Sequence, residues 1–265
     1  MPMDDDAPAP SFDELIAWSM DADPALLPYL PRLFADMEEL GARVDEVLRV
    51  LRPVGLPKNA RVLDLGFGKG AVALALVEEF DCVAHGVDGF AAFVEHAEQR
   101  AEAKGLGDQC IFAEGDVRKA AAESRDYDLV CLLALGDILG AADETVATLR
   151  ECVKPGGLIL IDDAYIRDGE TPPEDVVGCF DHATTLELLR SSGDEIIYEL
   201  VIDGPESELH YRSMTQKIAS RVAELAADHP EDADLLNDYV QRQQDEVDVL
   251  SGPVAGALWL IRRSG

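Results

Sequence analysis

The stretch Arg61-Val62-Leu63-Asp64-Leu65-Gly66-Phe67-Gly68-Lys69-Gly70-Ala71 passes from a short apolar run, through three glycines set two residues apart, into a second apolar-rich run ending near Phe80. This order reads as strand, tight turn and helix, because glycine tolerates the left-handed backbone angles such a turn demands. Working outward, Cys82–Val87, Gln109–Ala113, Asp128–Ala134 and Leu158–Ile161 are short apolar segments mostly bounded by Gly, Asp or Pro, as Arg61–Phe67 is. Buried parallel strands have that character. The segments between them, Gly70–Phe80, Phe90–Lys104, a short piece near Arg118–Glu123 and Asp143–Val153, carry helical patterns. Strand and helix alternating over a hundred residues predict an α/β fold with a doubly wound, mostly parallel sheet.

The flanks depart from this rhythm. At the start, Ser11 and Glu14 make an S-x-x-E capping box that opens a short helix through Met20. Apolar residues from Leu33 through Met37, Leu40, Val44, Val47, Leu48 and Leu51 predict a single five-turn helix over 32–52, stopped by Pro53. Beyond the fifth strand, Ala183–Ser192 reads as a helix, Glu195–Ile202 as a sixth strand and Gly256–Arg263 as a last strand. Two amphipathic helices, near Leu209–Ala227 and Glu231–Leu250, interrupt that final pair. The expected organisation is a disordered tail over 1–10, an N-terminal helical cap over 11–53, a core over 54–204 and 253–265, and a helical insertion over 205–252. An inserted helix pair of this kind acts as a lid or as an oligomer contact, such as a homodimer interface.

Composition narrows the function. The 265 residues hold 53 acidic and 22 basic side chains, for a formal charge of −31. Nucleic-acid binders draw their affinity from basic residues on phosphates, so a chain this negative with no basic patch is expected to bind no nucleic acid. Apolar residues still make up 48%, which predicts a globular chain. The five cysteines, Cys82, Cys110, Cys131, Cys152 and Cys179, form no C-x-x-C pair and read as thiols of a reducing cytoplasm. No apolar run is long enough to span a bilayer, and the Asp- and Pro-rich start is neither signal peptide nor anchor. Abundant carboxylate with scarce Lys is also the composition of proteins from salt-loving organisms, where molar salt screens self-repulsion.

The glycine turn by itself admits two readings. Gly66, Gly68 and Ala71 satisfy the dinucleotide fingerprint G-x-G-x-x-A, whereas Asp64, Gly66, Gly68 and Gly70 satisfy D-x-G-x-G-x-G, a turn that lets an adenosyl amino acid approach the backbone. The charge of Asp64 favours the second, since a carboxylate there repels a pyrophosphate and attracts an ammonium. With the later landmarks in order, residues 61–166 resemble the core of class I S-adenosylmethionine-dependent methyltransferases of the small-molecule type. Those landmarks are Asp88 closing His85-Gly86-Val87-Asp88, Asp116-Val117, Tyr127-Asp128-Leu129-Val130 and Lys154-Pro155-Gly156-Gly157.

The resemblance implies a Rossmann-like, seven-stranded sheet and S-adenosyl-L-methionine as cofactor. It implies a site made of Asp64, Gly66, Phe67, Gly68, Gly70, Asp88, Gly89, Asp116, Val117 and Leu133, with Asp88 on the ribose hydroxyls and Asp116-Val117 at the adenine. The acceptor it implies is a small-molecule O, N or C nucleophile, with the flanking helices as substrate cap. Asp137, Tyr165 and His182 are the candidate catalytic residues beside the transferring methyl. Asp162 and Asp163 look like two of the three acids of a magnesium site whose third is missing, because Leu133 stands at the nearest equivalent, so no metal is expected. An NAD(P)-dependent oxidoreductase and a non-catalytic cofactor-binding partner protein are the alternatives on the same fold.

Overall fold

The computed structural model describes residues 11–173 and 176–265, so the expected 1–10 tail lies outside the described residues. The capping box forms: the Ser11 hydroxyl accepts from the Glu14 N–H, and the Glu14 carboxylate accepts in return from the Ser11 N–H. It opens α1, Phe12–Trp18. A 3₁₀ segment, Pro24–Tyr29, then leads into α2, Leu30–Leu33, and α3 covers Val44–Leu51. The continuous helix expected over 32–52 is therefore not formed. Residues 34–43 leave the helical path because Leu40 is drawn over Gly68 and Gly41 is packed so closely on Ala134 that a Cβ there would collide.

The alternating core follows as β1 Arg61–Leu65, α4 Ala71–Phe80, β2 Val83–Asp88, α5 Ala91–Lys104, β3 Cys110–Glu114, α6 Val117–Glu123, β4 Tyr127–Leu133, α7 Ala142–Cys152 and β5 Val153–Ile166. After these come α8 His182–Leu189, β6 Glu195–Ile202, α9 Gly204–Asp228, α10 Ala233–Ser251 and β7 Val254–Arg262. The seven strands form one sheet in the order β3-β2-β1-β4-β5-β7-β6, parallel except for β7, which runs antiparallel between β5 and β6. β5 is much longer than the apolar run Leu158–Ile161 suggested, because pairing with β7 continues through Ile166 opposite Val254.

Strand periodicity divides the core cleanly. Val62 and Leu160 face one layer, with α3, α4 and α5, while Leu63, Leu65, Ile159 and Ile161 face the other, with α6, α7 and α8. Helices on both faces are the doubly wound arrangement. A third cluster lies apart from the sheet: Leu26, Leu30, Leu33, Phe34 and Met37 of the N-terminal segment pack with Ile218, Val222 and Leu225 of α9 and Leu236 and Tyr239 of α10. The two flanking regions thus bury their apolar stripes mainly against one another, which is the cheapest way to remove both from water. Among the described residues no helix is long and apolar enough to cross a membrane.

Candidate functional site

A cavity of about 590 Å³ opens over the carboxyl ends of β1, β2, β4 and β5 and is roofed by the flanking helices. This is where open α/β sheets bind ligands, and the volume lies in the ordinary range for small-molecule pockets. Its floor is the glycine turn. Gly66, Gly68 and Gly70 have φ of 71°, 54° and 75°, all in the left-handed region that disfavours side chains. Space is equally restrictive, since a Cβ on Gly66 would enter Leu135 and one on Gly70 would enter Ala97 and Phe112. Gly70 caps α4 and shapes the turn from below, whereas Gly66, Phe67 and Gly68 line the cavity. The Phe67 ring folds down over Gly86 and stacks 4.5 Å from Phe112.

Three carboxylates line the floor. Asp64, at 2% exposure, has an Oδ2 with no hydrogen-bond partner. Burial, reinforced by the neighbouring Asp88 charge, pushes its carboxyl up to about 7. Asp88 accepts from the Gly68 N–H at 2.8 Å and the Phe90 N–H at 2.9 Å, tying β2 to the turn, and burial raises its carboxyl despite those bonds. Asp116 caps α6 through the Arg118 N–H and grips the Arg118 guanidinium at 3.0 and 2.8 Å, which holds its carboxyl below the usual value. Val117 and Leu133 complete this side, and Gly89 lies so close to Ile16 and Phe12 of α1 that the N-terminal helix forms a wall there.

The opposite end carries a second acidic group, made of the Asp162-Asp163 pair noted in the sequence and of Glu46, which sequence reasoning missed. Asp162, paired in register with Leu133, faces the cavity, and burial with the adjacent Asp163 pushes its carboxyl up to about 8. Asp163 is pushed up to about 6, mainly by burial. Glu46 of α3, 4% exposed, is also raised by burial, although Arg43 stands 3.4 Å away. Tyr211 and His210 of α9 close this end, with the His210 Nε2 lacking a partner. Nothing in the sequence marks Glu46, because it belongs to a helix whose apolar stripe alone is periodic. Among the described residues no group of three or more His, Cys, Asp or Glu side chains could hold a metal ion.

The expected catalytic candidates are not brought to this cavity. Tyr165 shares strand parity with Ile159 and Ile161 and packs on the α7–α8 side, its ring 4.5 Å from His182. His182 pairs with Glu199 at 2.6 Å, and Trp259 donates to that same carboxylate at 3.0 Å. Both candidate side chains thus lie in a cluster on the α7–α8 layer and outside the cavity lining, unlike the expected placement beside the transferring methyl. Asp137 does not line the cavity either, although Gly136 and Ile138 do; it lies against Gly178.

Residues 62–157 match a family model described as a methyltransferase domain. The uncharacterised protein YjhP of Escherichia coli K12 is 27% identical over 168 residues, 62% of this chain and 65% of that one. The tRNA 5-carboxymethoxyuridine methyltransferase of the same strain is 31% identical over 117 residues, 43% of each chain. The chain thus matches two thirds or less of the length of these curated relatives. Among solved structures, an S-adenosylmethionine-dependent methyltransferase from Thiobacillus denitrificans, crystallised with S-adenosyl-L-homocysteine, superposes with a TM-score of 0.72. That match covers 88% of this chain and 97% of the other at 19% identity, a likeness of fold.

Proposed function

From the premise that residues 62–157 are a class I methyltransferase domain, we propose that the protein transfers a methyl group from S-adenosylmethionine to a nucleophilic O, N or C of a small molecule. The single observation that carries this reading is the unpartnered Oδ2 of Asp64 beside the three-glycine turn. A buried carboxylate without a donor costs several kcal/mol, on the order of 3, and calls for a cationic or hydrogen-bonding ligand group. The ammonium of an adenosyl amino acid answers it, whereas a dinucleotide pyrophosphate would be repelled by Asp64 and Asp88 together.

When bound, S-adenosylmethionine supplies a methyl group already activated by its sulfonium. In this reading Asp64 accepts hydrogen bonds from the ammonium, and Asp88 accepts the ribose hydroxyls on the lone pairs that the Gly68 and Phe90 N–H groups leave free. Asp116 and Val117 hold the adenine edge at the start of α6. The cap excludes water and fixes the acceptor in line, which is most of what such a transfer needs. Asp162 faces the cavity at the acceptor end, and a carboxyl that burial pushes up to about 8 is placed there to exchange a proton with the acceptor once it ionises. Arg43 is engaged by Asp45, Glu46 and Glu206, so the acidic end of the cavity favours a neutral or cationic acceptor.

A thermal-shift panel with S-adenosylmethionine, S-adenosylhomocysteine and NADH tests the reading, followed by calorimetry on Asp88→Ala. Stabilisation by the two adenosyl compounds, lost in the variant, is the expected result. Stabilisation by NADH alone would move the chain to the oxidoreductases. Stabilisation by S-adenosylhomocysteine, without methyl transfer to any extract component, would leave a non-catalytic cofactor-binding protein.

A further inference from the structure

Lys69 sits inside the glycine turn and among the residues that line the cavity, and its side chain reaches from the turn to the cap. Only 5% of it is exposed, and its Nζ donates to the carbonyls of Phe34 at 2.7 Å and Met37 at 2.8 Å. These two carbonyls belong to the segment in which the chain leaves the helical path after α2. An ammonium there satisfies acceptors that a broken helix end would otherwise bury without partners. The backbone of Lys69 is held as well, its carbonyl accepting from Arg100 at 2.8 Å, and Arg100 in turn pairs with Glu38 at 3.2 Å. His96 adds a third link to Glu38 at 3.0 Å.

What these contacts position is the loop that follows. Leu40 lies over Gly68, and Gly41 is wedged against Ala134 at the end of β4, so residues 38–42 bridge the glycine turn and the β4 turn. The same residues line the cavity. We propose that Lys69 is a positioning residue for methyl transfer, fastening the 34–42 segment of the cap onto the glycine turn so that cofactor floor and acceptor roof are set by one side chain. The inference rests on the methyltransferase reading for its function, but the fastening itself does not.

The test uses the full chain and the variants Lys69→Met and Lys69→Arg. In ligand-free protein, cleavage by a glutamate-specific protease after Glu38 or Glu39 should accelerate at least about tenfold in Lys69→Met, because one charge-assisted hydrogen bond is worth about that factor in a local opening equilibrium. Lys69→Arg retains donors and should return the rate to within about threefold of wild type. S-adenosylhomocysteine affinity should fall about tenfold in Lys69→Met and recover in Lys69→Arg. Fluorescence gives an independent signature, since of the two tryptophans Trp18 lines the cavity and Trp259 is fully buried. A ligand-induced change in wild type should be lost in Lys69→Met and return in Lys69→Arg. Wild-type cleavage and wild-type affinity in Lys69→Met would overturn the proposal. If Lys69→Met does not fold, Lys69→Ala, which removes every donor and leaves room for water at the two carbonyls, carries the same comparison, and an unchanged cleavage rate there overturns it equally. Failure of wild type to bind S-adenosylhomocysteine would reject the methyltransferase reading instead, while the ligand-free cleavage still judges the fastening.

Discussion

Replacing Asp64 by Asn should make the protein more stable and bind its ligand less well, a pair of opposite effects that follows from one buried carboxyl. Its folded value of about 7 stands against an ordinary 3.8. Between those values the unfolded chain ionises while the folded one does not. Stability therefore falls as pH rises, and the loss is complete above about 7. The difference corresponds to about 4 kcal/mol at pH 8. Asn escapes that cost but leaves a buried amide donor unpaired, at about 2 kcal/mol. The net gain is about 2 kcal/mol at pH 8, or roughly 5 °C in Tm, shrinking to about zero near pH 5.5. Calorimetric melts at the two pH values measure it.

The same group sets binding. If the ligand ammonium binds ionised Asp64, wild-type affinity for S-adenosylhomocysteine should tighten about tenfold from pH 6 to pH 8, as the ionised fraction rises from roughly a tenth to nine tenths. The Asn variant should bind weakly and without that slope. A variant less stable than wild type at pH 8, or a flat wild-type affinity over this range, would refute the reasoning.

Gly66→Ala should abolish S-adenosylhomocysteine binding and lower stability by about 2 kcal/mol or more, read by calorimetry and thermal melts, since its φ of 71° and the adjoining Leu135 leave no room for a methyl group. Tyr165→Phe and His182→Ala should leave S-adenosylhomocysteine affinity and methyl transfer within about twofold, because both side chains pack beneath the sheet; a tenfold loss would return them to the site. Tm should rise by several degrees between low and molar KCl, as a Debye length of about 3 Å at 1 M screens the repulsion among 53 acids; an unchanged Tm would show that self-repulsion does not limit this fold.

The core was legible because its signals are local. Each strand from β1 to β4 lies within a residue or two of its apolar run, and the left-handed glycines at 66, 68 and 70 stand where their spacing demanded. The cap was not legible, for a physical reason. The stripe from Leu33 to Leu51 is periodic enough for one helix, but contacts with Lys69, Gly68 and Ala134, distant in sequence, outweigh local propensity and unwind its middle. Glu46 and Asp162 meet at one end of the cavity only through the tertiary fold. The placement of Tyr165 was within reach, since counting by twos from Ile159 and Ile161 sends it to the α7–α8 layer.

The antiparallel β7 has a consequence for how the molecule comes to be assembled. It enters the sheet between β5 and β6, yet it follows both of them, and all the cap helices, in the chain. A ribosome delivers segments in order, and domains generally condense as they emerge. Until Val254–Arg262 arrives, β5 is an unpaired edge and β6 has no neighbour to hold it, leaving an apolar strand open to wrong partners. The cap meets a shorter delay of its own, because Leu26 and Leu30 wait for Val222 and Leu236, which emerge just before the last strand. Docking of this one late strand therefore completes the sheet only after the helices that roof the cavity have emerged.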